Sequence, residues 1–229
     1  VGGDSAARLH GEFRVVEFFG SLPSMEHIET PKRQPLPPYF PAGTAGRRIY
    51  VSFGTVVWRY YADQALATMA ALADAIAARP ALAGMISFGG AGAYATHADR
   101  LRRPNVRVEM HVNQWLTLGE ADLFVTHHGL NSTHEAIFNR VPMLSYPFFW
   151  DQPGLAARCR ELGIARPLAT EPRSVVTAGE AGEALDQVLA QREAMAAALE
   201  RARAQELAVM AGRGRVIDRL ASLAAPRAT

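Results

Sequence analysis

The fold turns on the stretch Val125-Thr126-His127-His128-Gly129-Leu130-Asn131-Ser132-Thr133-His134-Glu135. It begins as the end of an apolar strand, Ala121 to Val125, passes through a polar turn containing glycine, and enters a helix. A strand that feeds such a turn and then a helix start makes a pocket for an anion. The first backbone N–H groups of a helix have no intrahelical partner, and they point outward at the positive end of the helix dipole. Hydroxyl, amide and imidazole side chains crowd the turn. A second polar cluster, Trp150-Asp151-Gln152, follows downstream.

Strands and helices alternate on both sides of this stretch. Upstream, Ile49 to Phe53 reads as a buried strand that stops at Gly54-Thr55. Leu66, Met69, Leu72 and Ile76 recur at helical spacing within 62–79, ahead of Pro80. Strands follow at 85–88 and 106–110, then a helical turn at 115–118, the strand 122–125 and a helix at 132–139. Downstream come a strand at 142–146, a helix at 155–162 closed by Gly163, and a short strand at 164–168. Helices are expected at 177–190, at 192–211 (rich in alanine) and, after Gly212-Arg213-Gly214, at 215–224. The alternation predicts an α/β fold, Rossmann-like and doubly wound. Its mostly parallel sheet would have about six strands with helices on both faces, and C-terminal helices added.

Residues 1–46 do not read as a domain. Val1 to Arg8 is small and polar, the start of the chain lacks Met, and Arg14 to Gly20 is a short strand-like run. Pro23, Pro31, Pro35, Pro37, Pro38 and Pro41 then exclude a helix or a central strand. This is an extended lead-in to a domain at 47–229, and the chain is expected to be processed or a piece of a longer one.

Hydrophobic residues make up 49% and charged residues 20%, which suits a globular α/β core. A net charge of +2 argues for neither nucleic acid nor a membrane surface. Cys159 is the single cysteine, so no intrachain disulfide is possible, and a reducing, cytoplasmic setting is expected. No stretch approaches the roughly 20 apolar residues of a spanning helix.

Several residues carry two readings. Ser132 and Glu135 fit a capping box, the reading their spacing alone favours, and they also fit a phosphate contact and a carboxylate accepting from a ribose diol. His127, His128 and His134, with His111, match no zinc spacing, and no metal is expected. A neutral His beside a phosphate is the better use. Gly90-Ala91-Gly92-Ala93-Tyr94-Ala95 matches a dinucleotide glycine loop, with Glu109 on the next strand as the ribose acid, or is simply a flexible loop. Gly54-Thr55 is either a plain loop or a ligand-facing one. Trp150 is core or pocket wall. Asp151-Gln152 fits a helix start as well as a ligand site.

These pieces together resemble the donor-binding signature of family 1 glycosyltransferases, the nucleotide-sugar-dependent enzymes of the GT-B fold. In plant members the signature reads W-x-P-Q, then H-C-G-W-N-S-x-x-E, then D-Q. Here it is His111-Val-Asn-Gln114, His127-His-Gly-Leu-Asn-Ser-Thr-His-Glu135 and Asp151-Gln152, with Val51 to Thr55 similar to the domain's first strand and loop. The resemblance covers roughly 47–225 and makes the lead-in an interdomain linker. It implies that His127, Gly129, Asn131, Ser132 and Thr55 hold a diphosphate. It implies that Glu135 bonds the ribose, that Gln114 and His111 frame the base, and that Asp151, Gln152 and Trp150 meet the sugar. The stacking Trp is His111 here, a non-Trp stacker that looks bacterial, the Pro is Asn113, and His128 and Leu130 replace the plant Cys and Trp.

The implied activity is inverting, metal-independent transfer from a UDP- or dTDP-hexose to a small lipophilic natural product such as a flavonoid or polyketide. No cofactor is implied. The catalytic base is implied to be a His of an N-terminal acceptor domain, so this chain would bind donor without transferring it. The expected partners are the nucleotide sugar and, through that domain, the acceptor, with the protein a monomer. Two other readings remain: an NAD-type dinucleotide module, and a non-catalytic nucleotide-sugar module.

Overall fold

The computed structural model describes residue 40 and residues 46–224. The strand-like run at 14–20 and the prolines of the lead-in lie outside the described residues. In chain order the elements are β1 (Arg47–Ser52), α1 (Val57–Tyr60), α2 (Ala62–Ala77), β2 (Leu82–Ser87), α3 (Tyr94–Leu101), β3 (Val106–Glu109) and α4 (Gln114–Leu118). There follow β4 (Leu123–Thr126), α5 (Leu130–Phe138), β5 (Met143–Ser145), α6 (Gln152–Glu161), β6 (Ala165–Pro167), α7 (Ala178–Ala211) and α8 (Arg213–Ala224). The strands form one sheet in the order β3-β2-β1-β4-β5-β6, and every pairing is parallel.

Strands buried on both faces must be apolar at every position. β2 is buried along its whole length. In β1, Ile49 and Val51 enter one core, with Met69, Leu72 and Ile76 of α2. Tyr50 enters the other, with Phe124 of β4 and Ala136 and Ile137 of α5. The chain winds outward from β1 to β3 and then crosses back, so that β4 lies on the other side of β1. The carboxyl ends of β1 and β4 are therefore the switch point where such sheets open a crevice.

The C-terminal half differs from expectation in one respect. The helices expected at 177–190 and 192–211 are one helix, α7, of 34 residues. No glycine or proline interrupts residues 183–211, and the two ends have different work. Leu185, Val188 and Met195 pack into the first core, while Ala198, Leu199 and Ala202 pack into the second. A single rod of about 51 Å reaches both. Two helices were also missed: α1, too short for periodicity, and α3, hidden behind the glycine loop that precedes it.

Helix ends follow local chemistry. At α6, Ile164 N–H donates to the Cys159 carbonyl and Gly163 N–H to that of Arg160, with Gly163 at φ +73. This is a Schellman close, as the glycine suggested. Asn105 Nδ2 donates to the carbonyls of Ile76, Arg79 and Leu82, sealing the end of α2. Among the described residues, no helix is long and apolar enough to cross a membrane.

Candidate functional site

Three neighbouring strands end in the same turn. Ser87, Ser52, Thr126 and Ser145 stand in register across β2, β1, β4 and β5. Ser87 Oγ accepts from Gly89 N–H at 3.2 Å, Ser52 Oγ from Gly54 N–H at 3.4 Å, and Thr126 Oγ1 from His128 N–H at 3.1 Å. Each donating residue is left-handed, with φ of +62, +71 and +61 respectively. A short hydroxyl side chain favours such turns by satisfying the N–H two residues on. All three strands thereby turn sharply at the same level, and their loops meet.

The loops meet closely. A Cβ on Gly89 would lie 2.6 Å from the Gly54 carbonyl oxygen. The His127 ring is held between two glycines: a Cβ on Gly54 would come within 2.7 Å of Nε2, and one on Gly129 within 2.5 Å. Above this floor lies a cavity of about 540 Å³, bounded on one side by the N-terminus of α5. Among the described residues lining it there is no Lys, Arg, Asp or Glu. The orphan N–H groups at the start of α5 precede Thr133, whose N–H makes the first helical bond, to the Gly129 carbonyl at 2.9 Å.

Most residues singled out in the sequence line this one cavity: Thr55, His111, Gln114, His127, Gly129, Asn131, Ser132, Trp150 and Gln152. Asp151 and Glu135 do not. Asp151 is exposed at the N-cap of α6 and makes no capping bond. Glu135 lies one layer behind, where its Oε2 accepts from Gln114 Nε2 at 2.7 Å. The same Nε2 donates to Ser132 Oγ at 3.1 Å.

The capping box considered for Ser132 and Glu135 is absent. α5 starts earlier than expected, with Gly129 as its N-cap and no side-chain cap, so Ser132 sits inside the first turn. A capping box does form at Thr177 and Glu180, where α7 begins.

Gln152 is buried, and its Oε1 accepts from the N–H groups of Phe148 and Phe149 at 2.9 and 3.3 Å. Those two bonds fix the amide so that Nε2 is the group left to donate. Trp150 is 78% exposed and left-handed at φ +54, with its ring edge-on to Phe149 at the cavity mouth.

Burial sets the charge of the histidines. His127 is pushed down to about 4, mainly by burial, with the Ser52 backbone carbonyl opposing the shift. Its Nδ1 has no hydrogen-bond partner among the described residues. His128 is pushed down to about 3 by burial and by its neighbour His127. Both are neutral near pH 7. The cavity is therefore a set of neutral donors around a helix dipole, which suits an anion that brings its own hydroxyl-rich appendages.

The glycine loop at 90–95 fares differently. It follows β2, away from the switch point, and neither Gly90 nor Gly92 lines the cavity. Glu109 is engaged by Arg107 Nε at 2.7 Å. Ser52, Ser87, Tyr50 and Gly89 line the cavity and were not anticipated. For Ser52, Ser87 and Gly89 the signal was in the sequence as the repeated tripeptides Ser52-Phe53-Gly54 and Ser87-Phe88-Gly89.

Comparison with known proteins gives this site a context. The chain is 45% identical over 67 residues to an oleandomycin glycosyltransferase of Streptomyces antibioticus, covering 29% of this chain and 16% of that protein. It is 37% identical over 86 residues to a zeaxanthin glucosyltransferase of Pseudescherichia vulneris, covering 37% and 21%. A solved structure of the glycotransferase of kitacinnamycin superposes with a TM-score of 0.69 at 26% identity, over 89% of this chain and 48% of that one. The chain thus spans about half of that structure, and shorter matched segments of the curated relatives. The family model described as UDP-glucoronosyl and UDP-glucosyl transferase matches residues 16–199, most of the chain, and the chain belongs to that family.

Proposed function

We propose that the cavity binds the diphosphate and nucleoside of a UDP- or dTDP-hexose, and that the whole protein transfers the hexose to a small lipophilic acceptor such as a flavonoid or polyketide. One observation carries this reading: the N-terminus of the nine-residue α5 opens into a cavity lined by neutral donors and by no acidic side chain. A diphosphate fits such a site without a cation, because unpaired N–H groups and the helix dipole meet its charge. The N–H groups of Leu130, Asn131 and Ser132, the Ser132 and Thr55 hydroxyls and the neutral His127 ring are the proposed diphosphate contacts. His111 and Gln114 frame the base. Glu135, behind Gln114, accepts from the ribose hydroxyls. Gln152 donates to a sugar hydroxyl, Trp150 covers the sugar, and Asp151 approaches from the rim.

In the proposed reaction the acceptor hydroxyl oxygen bonds to the anomeric carbon as the carbon–oxygen bond to the diphosphate breaks, with inversion. The charge growing on the leaving diphosphate is met by the donors of α5, which are already in place. The acceptor proton goes to a general base. We assign that base to an acceptor-binding part joined through residues 1–46, so residues 47–229 supply the donor half of the site.

The relatives' names, which speak of oleandomycin, zeaxanthin and kitacinnamycin, favour a natural-product acceptor. The dinucleotide alternative lacks support of this kind, since Gly90, Gly92 and Glu109 do not line the cavity. Glu135→Ala is expected to weaken UDP binding by about 1–3 kcal/mol, the scale of a hydrogen bond to a charged group. The loss should be smaller for dTDP, which has no 2′-hydroxyl. Calorimetry showing unchanged UDP affinity would remove Glu135 from the ribose role.

A further inference from the structure

We propose that His128 is a positioning residue, whose ring ties β5 to α5 and holds the turn that aims His127 and the first N–H groups of α5 into the cavity. The inference rests on the diphosphate reading of that cavity.

The hydroxyl row explains why a histidine is useful there. On β2, β1 and β4 the strand-end hydroxyl closes a turn by accepting the N–H two residues on. On β5 that residue is Pro147, which has no N–H to give. Ser145 Oγ is therefore left over, and His128 Nε2 takes it at 2.7 Å. The other ring nitrogen, Nδ1, meets Thr133 Oγ1 at 3.2 Å, in the first turns of α5.

The ring is fully buried, so both nitrogens need partners, and both have one. One nitrogen donates and the other accepts, and a hydroxyl can serve either role. The backbone carries the opposite tendency. Residue 128 is left-handed at φ +61, where Gly54 and Gly89 stand in the sister turns. A side chain is retained at a position that glycine fits better. That side chain spans from β5 to α5, and its two chain neighbours are His127, wedged between glycines, and Gly129, the N-cap of α5. His128 does not itself line the cavity, so its effect on a ligand passes through these neighbours.

The test uses the 229-residue chain at a temperature where circular dichroism shows every variant folded. Three variants are compared with the unchanged chain: His128→Gly, Ser145→Ala and the double substitution. UDP affinity is read by calorimetry, and amide exchange is read at residues 133–136, the first hydrogen-bonded amides of α5. His128→Gly relaxes the turn but removes the tie, and is expected to weaken UDP about tenfold and speed exchange at those amides. Ser145→Ala should act in the same direction and more mildly. The double variant should match His128→Gly alone, because both remove one tie. His128→Asn, which tolerates the left-handed turn and keeps an amide near one hydroxyl, should recover part of the loss.

The proposal is overturned if folded His128→Gly binds UDP within about twofold of the unchanged chain, or if the two losses multiply as independent sites do. Failure of the unchanged chain to bind UDP would instead strike the reading of the cavity. Amide exchange would then still decide the tie, and equal protection in His128→Gly would overturn it.

Discussion

Gly129→Ala is expected to abolish most nucleotide binding. The added Cβ would lie 2.5 Å from His127 Nε2 and 2.9 Å from Cε1, closer than packed atoms approach. On its other side the ring lies against Gly54, where an added Cβ would likewise come within 2.7 Å of Nε2. Either the imidazole leaves the cavity or the N-cap of α5 tilts. Both outcomes cost charge-assisted hydrogen bonds to a diphosphate. Losing two of them costs about 3 kcal/mol or more, roughly a hundredfold in affinity. Crowding of this kind also costs about 1–3 kcal/mol of stability. Gly154→Ala, on α6, is the control, since an added Cβ there meets nothing within 4 Å. It should leave UDP affinity unchanged. Calorimetry on both variants checks the pair, and Gly129→Ala binding UDP as well as the control would refute this account of the His127 slot.

Stability should fall steeply between pH 6.5 and pH 4. His127 and His128 are neutral in the folded chain, with pKa values pushed down to about 4 and about 3, chiefly by burial. In the unfolded chain each takes up a proton near pH 6.5. Below that pH the unfolded state binds more protons than the folded state, so acid favours unfolding until the folded-state values are reached. From pH 7 to pH 5 the loss is about 2 kcal/mol for each histidine. Two such losses are a large share of an ordinary folding free energy of about 5–15 kcal/mol. His134 is lowered as well, by burial, with Glu206 of α7 opposing at 3.8 Å. Urea unfolding at pH 7, 6 and 5 measures the effect. The slope should lessen markedly in His128→Asn, and a flat profile in the unchanged chain would mean that the buried rings are not held neutral.

What the sequence made legible follows from how each signal arises. Continuous apolar strands and their alternation with helices showed the parallel sheet, because burial on both faces leaves no room for polar positions. The site was legible where its motif is contiguous, at 127–132, since one turn positions all of those residues. Burial was harder to read. Nothing in the spacing told that Gln152 would spend its carbonyl on Phe148 and Phe149, or that Asp151 one residue earlier would face solvent. Glu135 was read as a first contact and stands behind Gln114, a partner 21 residues away in sequence. His128 looked like a mere departure from the plant motif. Its meaning depends on Ser145 and Pro147, which only sheet register brings beside it. The split of α7 failed for a similar reason, because the helix is kept whole by two cores that lie on opposite faces.

In the proposed function, a cavity of neutral donors at the start of α5 holds a nucleoside diphosphate without a metal. Isothermal titration of UDP into the 229-residue chain, in buffer containing EDTA, tests it most directly, with NADH titrated in parallel. Saturable UDP binding that EDTA does not diminish and that Ser132→Ala weakens is expected, with no heat from NADH. UDP binding that appears only on adding a divalent cation, or NADH binding in place of UDP, would contradict it.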